Sequence, residues 1–397
     1  MLNQATKKFI SEHLNSDIRD IALRIKPTDN TDIDIPFALN QIASKKKAKH
    51  KLPTWFANDN IVYPPILSLE QCSSEVTAKY KAALLKGNTF VDLTGGFGID
   101  TAWISRNFVK TYYIEQQEHL TRIANHNFET LNLNNIEVIN TNAIDYLETI
   151  SYVDCIFIDP ARRSSSGSKV FLIQDCEPDI ITLQDKLINK ANKVLIKLSP
   201  MLDVKSAIKE IKHIEQVHII SVDNECKELL LLLDKDFTGE PQIICVNIDN
   251  NSQSNNIFLY EEEYNTQTVY ASSIKRYLYE PNVSILKGGF YKSISNKYEI
   301  EKLHINSHLY TSDELKDNFP GRAFEVIETS TMNKKELKTF LKGVNKANIT
   351  VRNFPISVDD LRKKIKVKDG GELYLFATTI SEDTHILIKT RKAFSQK

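Results

Sequence analysis

The chain has 397 residues, 41% of them apolar and 26% charged, and its 51 lysines and arginines balance 51 aspartates and glutamates. That length predicts about two to four domains, and the zero net charge excludes a polyelectrolyte, so any nucleic-acid surface must be local. The longest apolar run, Leu229 to Leu233, falls far short of a membrane span. The start, Met1-Leu2-Asn3-Gln4, has no basic segment leading into an apolar one and predicts no secretory signal.

Residues 1 to about 85 read as a helical and irregular region. Phe9-Ile10, Leu14, Ile18, Ile21-Ala22 and Ile25 recur at helical spacing, and Pro27 closes that segment. A basic run follows: Lys45, Lys46, Lys47, Lys49, His50 and Lys51. The stretch from Pro53-Thr54-Trp55-Phe56 through Tyr63-Pro64-Pro65 reads as a loop leading into one helix from about Leu69 to Leu85.

From Thr89 short β-rich runs alternate with helical ones. The predicted strands are Thr89 to Leu93, Thr111 to Ile114, Ile136 to Asn140, Cys155 to Ile158 and Lys193 to Leu198. The predicted helices are Asp100 to Arg106, Leu120 to Leu131 and Ile181 to Lys190. This alternation predicts βαβ units and a mostly parallel sheet. Val217 to Val222 and Glu228 to Asp234 suit an antiparallel hairpin at the sheet edge, Pro241 to Ile248 adds a strand, and the polar stretch Asp249 to Asn256 reads as a turn or exposed loop.

Beyond residue 276 the rhythm changes. Phe324 to Glu328 and Ile349 to Phe354 read as strands, and Asn333 to Lys342 as a helix ended by Gly343. Ser357 reads as an N-cap with Asp359-Asp360 in the first turn and Arg362-Lys363-Lys364 further on, matching the helix dipole. Leu373 to Thr378 and His385 to Thr390 form a closing hairpin. Five dispersed cysteines (Cys72, Cys155, Cys176, Cys226, Cys245), none in CxxC spacing, predict reduced thiols in a cytoplasmic protein and no zinc site.

The central motif is Val91-Asp92-Leu93-Thr94-Gly95-Gly96-Phe97-Gly98-Ile99-Asp100, which follows a strand and opens a helix. Glycines there let the backbone turn sharply and approach a ligand. Glu115 ends the second strand and is placed to accept ribose hydroxyls; strand ends at the switch point of an open α/β sheet are where ligands bind. Asp92 could meet the cationic amino end of S-adenosylmethionine, and Asn142-Ala143, after the third strand, its adenine. The rival ligand is a nicotinamide dinucleotide, whose fingerprint wants GxGxxG. Here Gly98 is followed by Ile99-Asp100-Thr101, so the third glycine is missing, and an acid at the helix start should repel a pyrophosphate.

Val91 to Asp100 resembles the first motif of class I S-adenosylmethionine-dependent methyltransferases, Glu115 matches their ribose-binding acid, and Asp159-Pro160 stands where their fourth motif lies. Asn142 departs from the Asp of many members. Glu70 to Lys81 resembles the helix before the sheet that closes over the methionine end. The tail Asn348 to Pro355, continuing through Asp369-Gly370-Gly371 to Tyr374, is similar to bacterial members with a C-terminal THUMP-like domain, preceded by a small ferredoxin-like unit for which Pro281 to Phe319 is the counterpart. The resemblance implies an α/β fold with a Rossmann-like, mostly parallel seven-stranded sheet, an N-terminal helical region and small C-terminal α+β domains. The expected boundaries are 1–85, 86–275, 276–323 and 324–397. The cofactor it implies is S-adenosylmethionine, with expected contacts from Gln71, Ser73, Ser74, Asp92, Thr94, Gly95, Gly96, Gly98, Asp100, Glu115, Asn142, Ala143, Asp159 and Pro160.

The fourth motif, Cys155-Ile156-Phe157-Ile158-Asp159-Pro160-Ala161-Arg162-Arg163, decides what the enzyme could methylate. Ala161 and Arg162 replace the second proline and aromatic of amino-group methyltransferases. Uracil C5 enzymes show a similar Asp-Pro-x-Arg but need a cysteine after a later strand; here that loop is Lys197-Leu198-Ser199-Pro200-Met201, which excludes covalent C5 chemistry. Asp159 is the candidate catalytic residue, to orient or deprotonate an acceptor, or else a loop cap. Arg162 and Arg163 are the candidate substrate contacts for a phosphate or carboxylate, or else a solvated loop.

From Phe324 onward 15 lysines and arginines face 9 aspartates and glutamates. That excess, and the run Lys45 to Lys51 beside Trp55-Phe56, point to an RNA partner. The expected function is methylation of tRNA or rRNA. The alternatives are a small-molecule or protein acceptor, and a non-catalytic RNA-binding protein with a vestigial cofactor fold.

Overall fold

The computed structural model describes residues 2–24, 32–162, 173–249 and 252–393. The chain divides into two compact units: residues 1–215 with 230–239, and residues 216–229 with 240–397.

The first unit opens on α1 (Gln4–His13), α2 (Ile18–Arg24) and α3 (Ile35–Lys51). They pack through Ile10, Ile21 and Ile42. The periodicity that starts at Phe9 belongs to two helices rather than one, because Asp17 Oδ1 accepts from Arg19 N (2.8 Å) and starts a second helix. Ile25 and Pro27, the expected end of the segment, lie outside the described residues. The basic run forms the C-terminal half of α3. Next come α4 (Pro53–Phe56), α5 (Ile66–Gln71) and α6 (Glu75–Leu84). The single helix expected over Leu69 to Leu85 is thus interrupted: Ser74 is extended, and its hydroxyl accepts from Thr77 N at 3.2 Å, which caps a new helix.

The alternating region follows the expected order, with ends extended by a few residues: β1 (Gly87–Asp92), α7 (Ile99–Ile104), β2 (Phe108–Glu115), α8 (Glu118–Thr130), β3 (Ile136–Asn140), α9 (Ala143–Thr149), β4 (Val153–Ile158), a short β5 (Ala161–Arg162) and β6 (Cys176–Glu177), α10 (Ile180–Lys190), β7 (Ala191–Leu198) and α11 (Val204–Glu210). β1 pairs in parallel with β2 and β4, β2 with β3, and β4 with β7. Ile156-Phe157-Ile158 and Val194-Leu195-Ile196 are buried throughout, as strands covered on both faces require.

β8 (Ile214–Val222), β9 (Glu225–Asp234), β10 (Gln242–Ile248) and β11 (Gln253–Phe258) complete a sheet with strand order β3-β2-β1-β4-β7-β9-β8-β10-β11. Two features correct the sequence reading. The sheet has nine strands among the described residues rather than seven, so the β8–β9 hairpin is internal and not at the edge. Its turn residues Asp223 and Asn224 both have positive φ, 51° and 59°, as a two-residue hairpin turn demands. The second half of the Asn/Ser-rich stretch read as a loop, from Gln253 onward, belongs instead to the edge strand β11, paired antiparallel with β10 from Ile243↔Phe258 to Ile248↔Gln253, while Asp249 and Ser252 are joined as in a turn. An edge strand needs only one partner, and a polar sequence there blunts further pairing. The chain leaves β1 for β2 and β3 on one side and returns to β4 on the other, so the switch point lies at the carboxyl ends of β1 and β4.

In the second unit follow α12 (Tyr260–Asn265), β12 (Tyr277–Pro281), α13 (Val283–Gly288), α14 (Tyr291–Lys297), β13 (Glu301–Lys302), β14 (Tyr310–Ser312), β15 (Gly321–Thr331), α15 (Lys334–Phe340), β16 (Asn348–Arg352), α16 (Val358–Ile365), β17 (Leu373–Thr379) and β18 (His385–Lys392). Its strands β12 to β18 share one sheet of order β13-β14-β12-β15-β18-β17-β16. One core holds Leu278, Leu309, Phe324, Phe376 and Ile388. The other, under α15 and α16, holds Phe340, Leu361, Ile365, Leu375, Ala377 and Leu387. Alternate residues of β17 and β18 feed the two cores, which is the period-2 signature of a sheet covered on both faces. The expected caps are present: Asn333 and Ser357 start the two helices.

Candidate functional site

The turn after β1 is shaped by two glycines. A Cβ on Gly95 would stand 2.1 Å from the Tyr113 ring, and Gly98 has φ +82° with Phe128 close behind it. Gly95 N donates to Ile114 O (2.8 Å), and Tyr113 Oη donates to Gly96 O, so the turn is pinned onto β2. Asp92 sits beneath it, only 1% exposed. Its Oδ1 accepts from Thr94 N (3.0 Å) and its Oδ2 from Thr101 Oγ1 (2.5 Å). Both partners are neutral. Burial pushes the Asp92 carboxyl up to about 7, the two hydrogen bonds pull the other way, and the nearby acids Asp100 and Asp159 add to the rise.

Glu115, at the end of β2, is also buried, and it reaches the same turn: Oε2 accepts from Gly96 N (2.9 Å) and Oε1 from Gln117 N (2.8 Å). Each carboxylate oxygen keeps a further lone pair. Two buried acids therefore converge on one glycine turn, and they can take a ligand with a cationic end and vicinal hydroxyls. Thr94 Oγ1 accepts from Asp159 N (2.7 Å), which ties the ends of β1 and β4 together.

Other candidates do different work. Asp100 is buried at the start of α7, where Lys81 Nζ lies 3.1 Å from its Oδ1 and Ser73 Oγ donates to its Oδ2 at 2.6 Å. Lys81 Nζ also donates to Ser73 Oγ (3.1 Å). This buried ion pair bolts α6 to the glycine turn. It also neutralises Asp100, so the expected repulsion of a pyrophosphate does not discriminate between ligands. Ser73 serves that network, and Ser74 caps α6. Gln71 is exposed at the end of α5, and Pro160 is buried after β4. Asn142 spends its side chain on α9: Oδ1 accepts from Asp145 N (2.9 Å) and Nδ2 donates to Asp145 Oδ2 (2.5 Å). Ala143 is the first residue of that helix. Arg162 lies in β5, and Arg163 lies outside the described residues.

Three lysines belong to this region: Lys81 and Lys197, to which the sequence reading gave no role, and Lys51, which it placed in the basic run. Lys81 has been described. Lys197, at the end of β7, donates to Asp159 Oδ2, and its side chain is only 13% exposed. Lys51 donates to the carbonyls of Leu69 (2.9 Å) and Glu70 (2.7 Å); burial lowers its ammonium pKa, and repulsion from Lys197 adds to that lowering. Cys72 interacts with both lysines, yet burial pushes its thiol up to about 11, so it is no nucleophile at neutral pH. Lys81 and Lys197, each between apolar or aromatic residues, carry no sequence signal, and Lys51 reads only as part of a basic run; the packing of α3, α6 and β7 shows where these three find their partners.

Much of the N-terminal basic run is engaged within the chain. Lys45 pairs with Asp59 at 2.5 Å, Lys46 donates to Ser16 O, Lys47 pairs with Glu70, and Lys51 caps α5. Trp55 is 1% exposed and packs edge-on against Phe97 at 4.9 Å, so it cannot stack on a base. The expectation of a charged and aromatic RNA patch at Lys45 to Phe56 is thus narrowed: Lys45, Lys46, Lys47 and Lys51 have internal acceptors and the indole fills the core, while Lys49 and His50 stay exposed. Among the described residues no helix is long and apolar enough to cross a membrane.

A family profile for a ferredoxin-like domain matches residues 277–320, and one described as THUMP domain-like matches residues 321–392. A crystal structure described as that of a putative methyltransferase from Porphyromonas gingivalis W83 is similar throughout: 33% identity, TM-score 0.89, covering 98% of this chain and 98% of that one. A putative methyltransferase from Streptococcus mutans in complex with SAH is 17% identical, with TM-score 0.30, over 40% of this chain and 96% of its own. M. capricolum TrmK in complex with S-adenosyl-homocysteine is 14% identical, with TM-score 0.32, over 44% and 70%. The last two likenesses are slight and confined to part of the chain. No curated protein matches.

Proposed function

The chain belongs to the class I methyltransferase family that carries C-terminal ferredoxin-like and THUMP-like domains, and from that membership we propose that it is an S-adenosylmethionine-dependent methyltransferase acting on RNA, tRNA or rRNA, in the cytoplasm. The observation that carries the cofactor reading is Asp92: a buried acid at the switch point, hydrogen-bonded only by neutral groups, while its neighbour Asp100 has its own lysine. A ligand bearing an ammonium group supplies the missing counter-charge. The donor set fits S-adenosylmethionine. Asp92 would take the amino end, directly or through water, and Glu115 the ribose hydroxyls. The turn Thr94 to Gly98 would cradle the ligand between them.

Bound there, S-adenosylmethionine supplies a methyl group already activated on a sulfonium, so alignment for in-line attack supplies most of the rate. Asp159 stands at the end of β4, with its amide fixed by Thr94 and its carboxylate held by Lys197, and would orient the acceptor. No cysteine lies in the loop after β7, which supports direct rather than covalent transfer.

Calorimetry tests the cofactor: wild type should bind S-adenosylmethionine, and Asp92→Ala or Glu115→Ala should weaken binding strongly. Absence of binding by the wild type refutes the proposal. The acceptor is tested by labelled methyl transfer to total RNA from a deletion strain and from its parent. Labelling of the first alone is expected, and equal labelling removes RNA as substrate.

A further inference from the structure

Under the glycine turn stands an unmatched acid, Asp92, with neutral partners only. Beside Asp159 stands its converse, an unmatched ammonium. Lys51, half-buried at the end of α3, donates to two neutral acceptors, Leu69 O (2.9 Å) and Glu70 O (2.7 Å), and its other neighbour is the Cys72 thiol. Burial lowers its pKa, so the charge is held at a cost. The acids of this region are engaged elsewhere: Glu70 with Lys47, Asp100 with Lys81, and Asp159 with Lys197. Cys72, pushed up to about 11, stays a neutral thiol. Lys51 thus has no carboxylate partner among the described residues, and Lys197 lies near enough to repel it.

Capping α5 does not account for the charge. The two carbonyls need N–H donors, and a neutral Gln supplies them without desolvating an ammonium. The dipole of α5, a helix of six residues, returns only part of that cost. The position is also close to the chemistry. Lys197 Nζ donates to Asp159 Oδ2, and Asp159 N donates to Thr94 of the glycine turn. The Asp159 side chain is 34% exposed, so this corner opens to solvent, whereas Asp92 is sealed beneath the turn. An anion entering there meets ammonium groups from α3 and β7, and it is a far stronger acceptor than the thiol sulfur that Lys51 now faces. Two point charges from separate elements suit a tetrahedral phosphate, which accepts from several directions. A carboxylate is better met by the planar fork of an arginine.

We propose that Lys51, with Lys197 beside it, forms a subsite for a phosphate group carried by the methyl acceptor. Phosphate there supplies the missing counter-charge and sets the acceptor atom in register with Asp159. That the ligand is a methyl acceptor rests on the function proposed above; the subsite itself follows from the charges and holds whether or not the acceptor is RNA.

The test uses the full chain, with inorganic phosphate as the probe. Lysines are acylated briefly with a succinimidyl ester over a pH series at constant ionic strength, and labelling at each is read by mass spectrometry. Phosphate should raise the titration midpoint of Lys51 by about one unit and slow its labelling about tenfold below that midpoint. Acetate should do much less, and Lys49, exposed on the same helix, should respond to neither. Lys51→Gln keeps the cap and removes the charge. Calorimetry should find its S-adenosylmethionine affinity intact. In methyl transfer to RNA from the deletion strain its KM should rise more than its kcat falls, inhibition by phosphate should disappear, and Lys51→Arg should restore both. An unprotected Lys51, a Lys51 that is never labelled and so is closed to solutes, equal protection by acetate, or a Lys51→Gln variant altered in kcat alone would overturn the inference. Protection by phosphate without methyl transfer to any RNA would instead refute RNA as acceptor and leave the subsite standing.

Discussion

Asp92 ties stability to ligand binding, and Asp92→Asn separates the two. The unfolded side chain titrates at 3.8 and the folded one at about 7. Between those values the fold holds a proton that the unfolded chain has released, so this group's contribution to stability is full below 3.8 and is lost as pH rises to 7. A shift of about three units corresponds to roughly 4 kcal/mol at 1.36 kcal/mol per unit, an order-of-magnitude ceiling. The amide keeps the shape and cannot ionise. Urea denaturation of ligand-free wild type and variant at pH 5, 6, 7 and 8 should therefore show their stabilities diverging in the variant's favour as pH rises, by about 1–3 kcal/mol over that range, because other titrating groups cancel in the difference. Cofactor affinity should move the opposite way. The cation needs the ionised carboxylate, so wild-type binding should fall about tenfold per pH unit below 7 while the weak binding of the Asp92→Asn variant stays flat. Parallel stability curves, or parallel affinity curves, would refute this account of Asp92.

Lys81→Ala leaves the Asp100 carboxylate buried with Ser73 alone and should cost about 3–5 kcal/mol in chemical denaturation, much of it recovered by adding Asp100→Asn. Gly95→Ala drives a Cβ into the Tyr113 ring; the turn must shift, and calorimetry should find cofactor binding lost even where the fold survives. Trp55→Ala should lose about 3–5 kcal/mol of stability through the cavity it opens, yet leave any affinity for RNA unchanged for the folded fraction, whereas a stacking indole would show a clear loss of affinity. Lys197→Met releases the Asp159 carboxylate and should lower the single-turnover methyl-transfer rate with cofactor affinity preserved; a change in affinity alone would place Lys197 outside the acceptor site.

Much of the core sheet was legible because buried parallel strands read as unbroken apolar runs and their helices as periodic ones. Thr89 to Leu198 came out in the right order for that reason. That Asp92 and Glu115 stand at the ends of neighbouring strands was legible too, and the fold brings both to one glycine turn. The misses share one cause: a local pattern does not say what a side chain meets. Asn/Ser-rich residues looked like a loop, yet the open edge of β10 makes a strand of them. Asp100 looked like a free charge at a helix start, until Lys81 arrived from α6.

Lysines show the division most clearly. The sequence determined how many there are and that two stretches concentrate them. It could not separate the run in α3, most of whose ammonium groups meet carbonyls and acids folded against them, from the run along α15 and α16, whose exposed ammonium groups meet water. Charge is a property of the residue and is fixed by composition. Whether that charge is free depends on which groups the fold brings within a few ångströms, and those lie far away along the chain.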